Sequence, residues 1–354
     1  MAYTTIDDPS AYFQTALYTG STSSVTVTND GNSNLQPDWL WIKSRSSTTS
    51  HDAFDSSRGI TSKRLFPNLT NAEDSNGVAS VTSNGFTTGT TLGNINNNGD
   101  TYVAWQWKCN GGTSSASGSE SGSNLAYDFQ VNTTSKFMIN KYTGRGSSST
   151  LNLGNHFTPE FMIFKNRSQA DDWVVYHHKN TAYPWTDHLH LNTTAATSDD
   201  EQMFEDVVFA ADEINLGTNH EVNADGENYV AYAFAGVQGY SKFGSYTGNG
   251  NADGPFIYTG FKPAWILVKR TDSTNGWFLM DNKRNPFNLT NDFLRPNTND
   301  AEAEAANSVW DMLSNGFKIR GSGADVNGNG SPHIYMAFAE HPFVSSEGVP
   351  VTAR

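Results

Sequence analysis

One short string, Tyr-Thr-Gly, occurs three times, at Tyr18-Thr19-Gly20, Tyr142-Thr143-Gly144 and Tyr246-Thr247-Gly248, and each occurrence opens the same ordered series of blocks. A proline introduces an apolar run ending in lysine: Pro37–Lys43, Pro159–Lys165 and Pro263–Lys269. Asp55-Ser56-Ser57-Arg58 then matches Asp281-Asn282-Lys283-Arg284, with His177-His178-Lys179-Asn180 in the middle copy. Leu65-Phe66-Pro67-Asn68, Leu189-His190-Leu191-Asn192 and Leu294-Arg295-Pro296-Asn297 follow. Next, Ser83-Asn84-Gly85-Phe86 answers Ser314-Asn315-Gly316-Phe317, and Asp206–Phe209 is expected to replace that turn in copy two. Each copy closes on an aromatic strand, Tyr102–Trp107, Tyr229–Phe234 and, as aligned by its tyrosine, Tyr335–Glu340. Blocks recurring in order at roughly 100 to 120 residues identify an internal triplication, which governs any fold assigned to the chain.

Within a copy, short β-rich runs alternate with Gly, Asn and Ser clusters, which predicts an all-β fold of three tandem β-sandwich repeats, jelly-roll or lectin-like. Large and small residues alternate with period two in the closing strands. Tyr102, Ala104 and Gln106 therefore lie on one face and Val103, Trp105 and Trp107 on the other, with both faces covered. The expected organisation is an N-terminal arm at 1–17, repeats at 18–110, 137–238 and 239–343, and a C-terminal tail at 344–354. Residues 111–136 are a Gly/Ser-rich linker and lead-in, flexible by composition, so copy one should move against a more rigid pair of copies two and three. Asp300–Ala306 is rich in Ala and Glu and predicts a short helix.

A formal net charge of -14 and the absence of any basic stripe argue against nucleic acid, whose phosphates are held by clustered Lys and Arg. Cys109 is the sole cysteine, so any disulfide must join two chains. The start of the sequence lacks a charged-then-apolar leader, and no run approaches the length of a membrane helix, so the expectation is a protein made in the cytoplasm with no membrane insertion.

Asp325-Val326-Asn327-Gly328-Asn329-Gly330 fits the first half of a calcium loop, with Asp325, Asn327 and Asn329 as oxygen ligands. Its twelfth position is Met336 rather than Glu, and equivalent Asn/Gly strings in the other copies read as turns, so no cofactor is assigned and calcium is the alternative. Asp187-His188-Leu189-His190 places two imidazoles on one strand face near His177-His178, without an identifiable third ligand. Carboxylates cluster at Asp199–Glu201, at Glu205-Asp206 and at Glu302 with Glu304; a solvated face is the preferred reading over a glycosidase pair. Most of the recurring tryptophans belong to a core, whereas Trp173 and Trp277, beside polar turns, are the candidates to bind a carbohydrate or a protein partner.

The blocks Pro263–Arg270, Leu313–Lys318 and Ala337–Phe343, echoed in copy one by Trp39–Lys43 and Tyr102–Trp107, resemble a repeat family of unknown function found in virion structural proteins of marine tailed bacteriophages. That resemblance implies a lectin-like, non-enzymatic virion protein. The expected function is a tail fibre or spike subunit contributing to host attachment, with other virion proteins, a host surface glycan and further copies of the chain as partners. A capsid decoration protein is the alternative, and a glycan-degrading enzyme the third reading.

Overall fold

The structure, a computed structural model, describes residues 2–90 and 93–351. Met1 of the arm and residues 352–354 of the tail lie outside the described residues.

The chain is an all-β protein of several sheets. In copy one, Phe13–Thr19, Trp39–Ser44, Asp52–Asp55 and Thr101–Trp107 form a four-stranded antiparallel sheet. The closing strand lies between the opening and second strands, and the third strand lies outside the second. Ser241–Thr247, Phe261–Arg270, Phe278–Asp281 and Pro332–Pro342 take the same order in copy three. In copy two Phe137–Thr143, Phe161–Asn166, Val174–His177 and Asn228–Phe234 do likewise inside an eight-stranded sheet.

The period-two alternation decides what each face meets. Tyr102 and Ala104 join Leu40, Ile42 and Phe54 on the outer face, closed by Val27 and Phe86 from a small three-stranded sheet. Small sheets containing Leu151 and Ile214, or Ile257 and Phe317, close the outer faces of copies two and three. Val103, Trp105 and Trp107 turn the other way, into one core shared by all three copies. Trp39 stacks on Trp107 at 4.4 Å and on Tyr232 of copy two at 4.6 Å, while Trp107 meets Trp265 of copy three at 5.7 Å. Aromatic pairs of this kind add about 0.5–1.5 kcal/mol each beyond area burial.

Hydrogen bonds between copies run in a ring. Tyr232 of copy two donates to Asp55 of copy one (2.6 Å), and Trp105 of copy one to Asp281 of copy three (3.0 Å). His177 of copy two closes the circuit by bonding the Tyr335 carbonyl of copy three (3.1 Å). Copy one is thus built into the common core, contrary to the expected mobile unit. The Gly/Ser segment is not a free linker: Ala116–Gly118 pairs with Ala126–Asn132 at the edge of the copy-two sheet. The arm is shorter than expected, because Phe13 already begins the first strand and Ile6 is buried in the shared core. Cys109 is buried and its thiol donates to Phe137 O, which keeps it from an intermolecular bridge.

The recurring motif residues have local causes. The Tyr18, Tyr142 and Tyr246 hydroxyls donate to the carbonyls of Ile95, Val222 and Val326, each at 2.7 Å. Each tyrosine is followed at the second position by glycine because a Cβ on Gly20, Gly144 or Gly248 would lie 2.1, 2.3 or 2.3 Å from a carbonyl oxygen. The lysines ending the second strands, Lys43, Lys165 and Lys269, are buried and donate to backbone carbonyls. Burial draws each of them down to about 8.

Two alignments and one predicted element need correction. His333, not Tyr335, stands opposite Tyr246 as Tyr102 stands opposite Tyr18. A two-residue shift leaves each side chain on its own face, so alternation alone cannot detect it. In copy two the counterpart of Asn84 is Asp212, whose carbonyl receives the Leu153 N–H as the Asn84 carbonyl receives that of Asn29, so Asp206–Phe209 is not the turn. Asp300–Ala306 is not helical: Glu302 is drawn out to Arg45 and Arg284, and Ala303–Glu304 is a short strand. Tertiary ion pairs there override a weak helix propensity.

Candidate functional site

Phe256–Tyr258, which follows Pro255, is a short edge strand with one apolar residue inward and two aromatics outward. Ile257 enters the copy-three core, while Phe256 and Tyr258 are 45% and 47% exposed. Large aromatics left on one face of an edge strand are uncommon on a soluble surface and mark a contact region. Lys242, from the adjacent opening strand, donates to Tyr258 O at 2.7 Å with its ammonium 5.3 Å from the ring centroid. Tyr3, carried over by the N-terminal arm, donates to Gly260 O at 2.8 Å and sets its hydroxyl 3.0 Å from that of Tyr258.

Opposite stands the rim of copy two, with Glu160, His178, Lys179 and Gln238, and the two sides enclose an open groove of about 740 Å³. An aromatic platform flanked by an acid, two cations and an amide can stack an apolar face and hydrogen-bond the hydroxyls at its edge. A smaller cavity of about 340 Å³ lies between copies one and three. Its charges are paired, Lys283 with Asp30 and Lys262 with Glu340, as His178 is with Glu160 at 3.7 Å in the groove, so the outward aromatics are what set the groove apart.

The two tryptophans expected at a binding surface lie inside. Trp173 and Trp277 are each 1% exposed. Trp173 Nε1 donates to Phe66 O at 2.9 Å and to Leu69 O at 3.1 Å in copy one, and Trp277 Nε1 to His190 O at 2.9 Å in copy two. His51 takes the same place in copy one and bonds Arg295 O of copy three at 3.1 Å. Neighbouring polar turns made these indoles look exposed, but the turns are covered by the next copy.

Asp325, Asn327 and Asn329 do not converge as calcium ligands. The Asp325 oxygens accept from Asn275 and Arg295, at 2.6 and 2.9 Å. Asn327 is fully buried; its amide donates to Asn251 O and Gly321 O and its oxygen receives the Asn249 N–H, while Asn329 is exposed. Asn96 and Asn223 hold the matching loops in copies one and two by the same kind of bonds. The recurring asparagine is a loop clamp.

In the acidic runs Asp200 and Glu302 are engaged, whereas Asp199, Glu201, Asp206 and Glu304 face solvent. Asp200 caps a single helical turn by accepting from Gln202 N and receives the Asn219 amide, and Glu302 binds two arginines. His188 and His190 do come together, and the third group missing from the sequence reading is Glu221, whose Oε2 lies 3.0 Å from His190 Nε2. His177 faces copy three instead. Glu221 sits on a helical turn far along the chain, so only the equivalence of that turn with Gly93–Asn96 and Ala324–Asn327 could have brought it forward. Phe256 and Tyr258 did carry a signal, two aromatics two apart between Pro255 and Gly260.

An arrangement of β-sheets round one core, with an aromatic groove on its surface, is the class the geometry defines. Residues 8–342 match, as one span over all three copies, the family described as Domain of unknown function (DUF7483), and the chain belongs to that family. No curated protein matches the chain.

Proposed function

We propose that this protein is a structural component of a tailed bacteriophage virion, of the tail fibre or spike type, and that the Phe256–Tyr258 groove takes a host surface glycan. The finer architectural reading is three copies of one sandwich-like repeat assembled about a common core, rather than beads on a string. The observation that carries the function is the pair of outward aromatics beside Glu160, His178, Lys179 and Lys242, on a scaffold whose recurring tryptophans are buried. A rigid platform of this kind suits attachment, in which oligomerisation multiplies weak contacts. The resemblance of its sequence blocks to phage virion repeats supports the biological setting.

Two measurements test the reading. Quantitative mass spectrometry of purified particles should give a few to a few tens of copies, against hundreds for a head decoration protein. Absence from particles overturns the virion reading. Recombinant protein should bind host cells and slow phage adsorption, and Tyr258→Ala with Phe256→Ala should reduce binding at least tenfold while the far-UV spectrum is unchanged. Undiminished binding by that variant removes the groove from the proposal.

A further inference from the structure

We propose that His188, His190 and Glu221 form a binding site for one divalent transition-metal ion of the zinc class. His188 and His190 alternate on the strand Asp187–His190, with ring centroids 4.9 Å apart, and Glu221 reaches them from the helical turn His220–Asn223. One ligand atom from each of the three lies within 4.8 Å of the others. Two imidazoles and a carboxylate are a donor set that suits zinc or a neighbouring first-row ion, with the remaining positions open to water. Glu221 and His190 already stand 3.0 Å apart, about the separation of two cis ligands on an ion with bonds near 2.1 Å.

A second observation points to a ligand. His188 is only 5% exposed, yet its Nδ1 has no hydrogen-bond partner among the described residues. A buried polar atom left unpaired costs about 1–3 kcal/mol, which favours an occupant.

Comparison of the copies shows that the set belongs to copy two alone. The strand positions of His188 and His190 are Phe293 and Arg295 in copy three, and the Glu221 position is Asp325, giving an Arg295–Asp325 ion pair at 2.9 Å. Copy one has Arg64, Phe66 and Asn94 there. The ion pair explains how His190 and Glu221 are accommodated, but it gives no reason for a second buried imidazole where copy three has phenylalanine. The His190 carbonyl also receives Trp277 Nε1, so the ion would sit beside the junction of copies two and three.

The test is Zn²⁺ titration of the full chain by isothermal calorimetry, with Co²⁺ absorption as the second readout. One equivalent should bind, the visible Co²⁺ bands should appear, and the thermal midpoint should rise with Zn²⁺. His188→Phe, which installs the residue copy three tolerates, should keep the fold and weaken binding at least tenfold; Glu221→Gln should do the same. His156→Ala, outside the cluster, should leave binding unchanged. The proposal is overturned if the wild type binds no Zn²⁺, or if folded His188→Phe and Glu221→Gln variants bind it as tightly as wild type.

Discussion

The indole of Trp173 in copy two donates to the carbonyl of Phe66 in copy one at 2.9 Å, joining two copies through a side chain and a backbone atom. Its whole ring is buried in the shared core. Trp173→Ala should therefore lower stability by about 3–5 kcal/mol, the range for deleting a buried large aromatic. Trp173→Phe, which keeps most of the packing but leaves Leu69 O without its donor while Phe66 O keeps only the Leu69 N–H, should cost about 1–3 kcal/mol. Urea unfolding followed by far-UV circular dichroism measures both, and a loss below 1 kcal/mol for the alanine variant would contradict the interface.

Gly144→Ala tests the Tyr-Thr-Gly motif. Its new Cβ would stand 2.3 Å from the Ala224 carbonyl oxygen, so the loop must move. The expected cost is about 1–3 kcal/mol, typical of forced overpacking. Gly99→Ala, where a Cβ meets nothing but the backbone sits at φ 84°, separates strain from crowding. Its smaller loss, near 1 kcal/mol, would come from the left-handed conformation alone.

The ring of copies joins through charge at two junctions and without it at the third. Glu73 of copy one binds Arg58 at 2.9 Å and Arg167 of copy two at 3.0 Å; Glu302 of copy three binds Arg284 at 2.9 Å and Arg45 of copy one at 2.6 Å. Between copies two and three, Asn180, Thr197 and Thr271 stand in their place, with Thr197 Oγ1 donating to Asn180 at 2.8 Å. Asp281→Ala, which strips the fully buried Arg284 of its nearest partner, should cost about 3–5 kcal/mol. Thr197→Val at the neutral junction should cost only about 1 kcal/mol. Equal losses in denaturant midpoint would refute the distinction.

How much of this could be read beforehand follows from which contacts are local. Tyr-Thr-Gly and the two faces of the closing strand were legible because each reflects a bond or alternation within one copy, and the lysine-ended runs because each lysine bonds carbonyls of its own copy, even where Lys165 and Lys269 also reach Thr70 O and Thr194 O of another. What joins the copies was not: Trp173 follows Asp171-Asp172 and looks like a surface residue until Phe66 and Leu69 of another copy cover it. Gly/Ser composition at 111–123 misled because Ala116–Gly118 needs only backbone groups to extend a sheet. The drift of His177–Asn180 was visible, but its meaning, a neutral junction in place of an ionic one, needed the partner Thr197. In the candidate site, the histidine pair was seen and its carboxylate was not, since strand spacing fixes His188 against His190 but says nothing of a turn 31 residues on.

Acid should destabilise the protein through its buried histidines. Burial, then the neighbouring His178, draws His177 down to about 3, with Lys179 pushing the same way; burial likewise draws His333 down to about 4, with Arg270 adding to it and Asp272 opposing. Both folded values lie below the ordinary 6.5, so between there and pH 4 the unfolded chain takes up protons that the native protein refuses. Their stability contribution is complete above pH 6.5 and is lost as pH falls toward 4. Asp52 acts in the opposite sense. Burial raises it from 3.8 to about 7, so the native state holds a proton that the unfolded state releases, and that contribution fades as pH rises through 7. Below the ordinary glutamate range Glu73 joins the histidines, because Arg167 and Arg58 outweigh its burial and hold it low. The urea midpoint should therefore fall from pH 7.5 to 4.5, more steeply in Asp52→Asn, where the opposing proton is gone, and less steeply in His177→Gln. A midpoint that rises on acidification of Asp52→Asn would show that the imidazoles take up protons inside the fold, contrary to their burial.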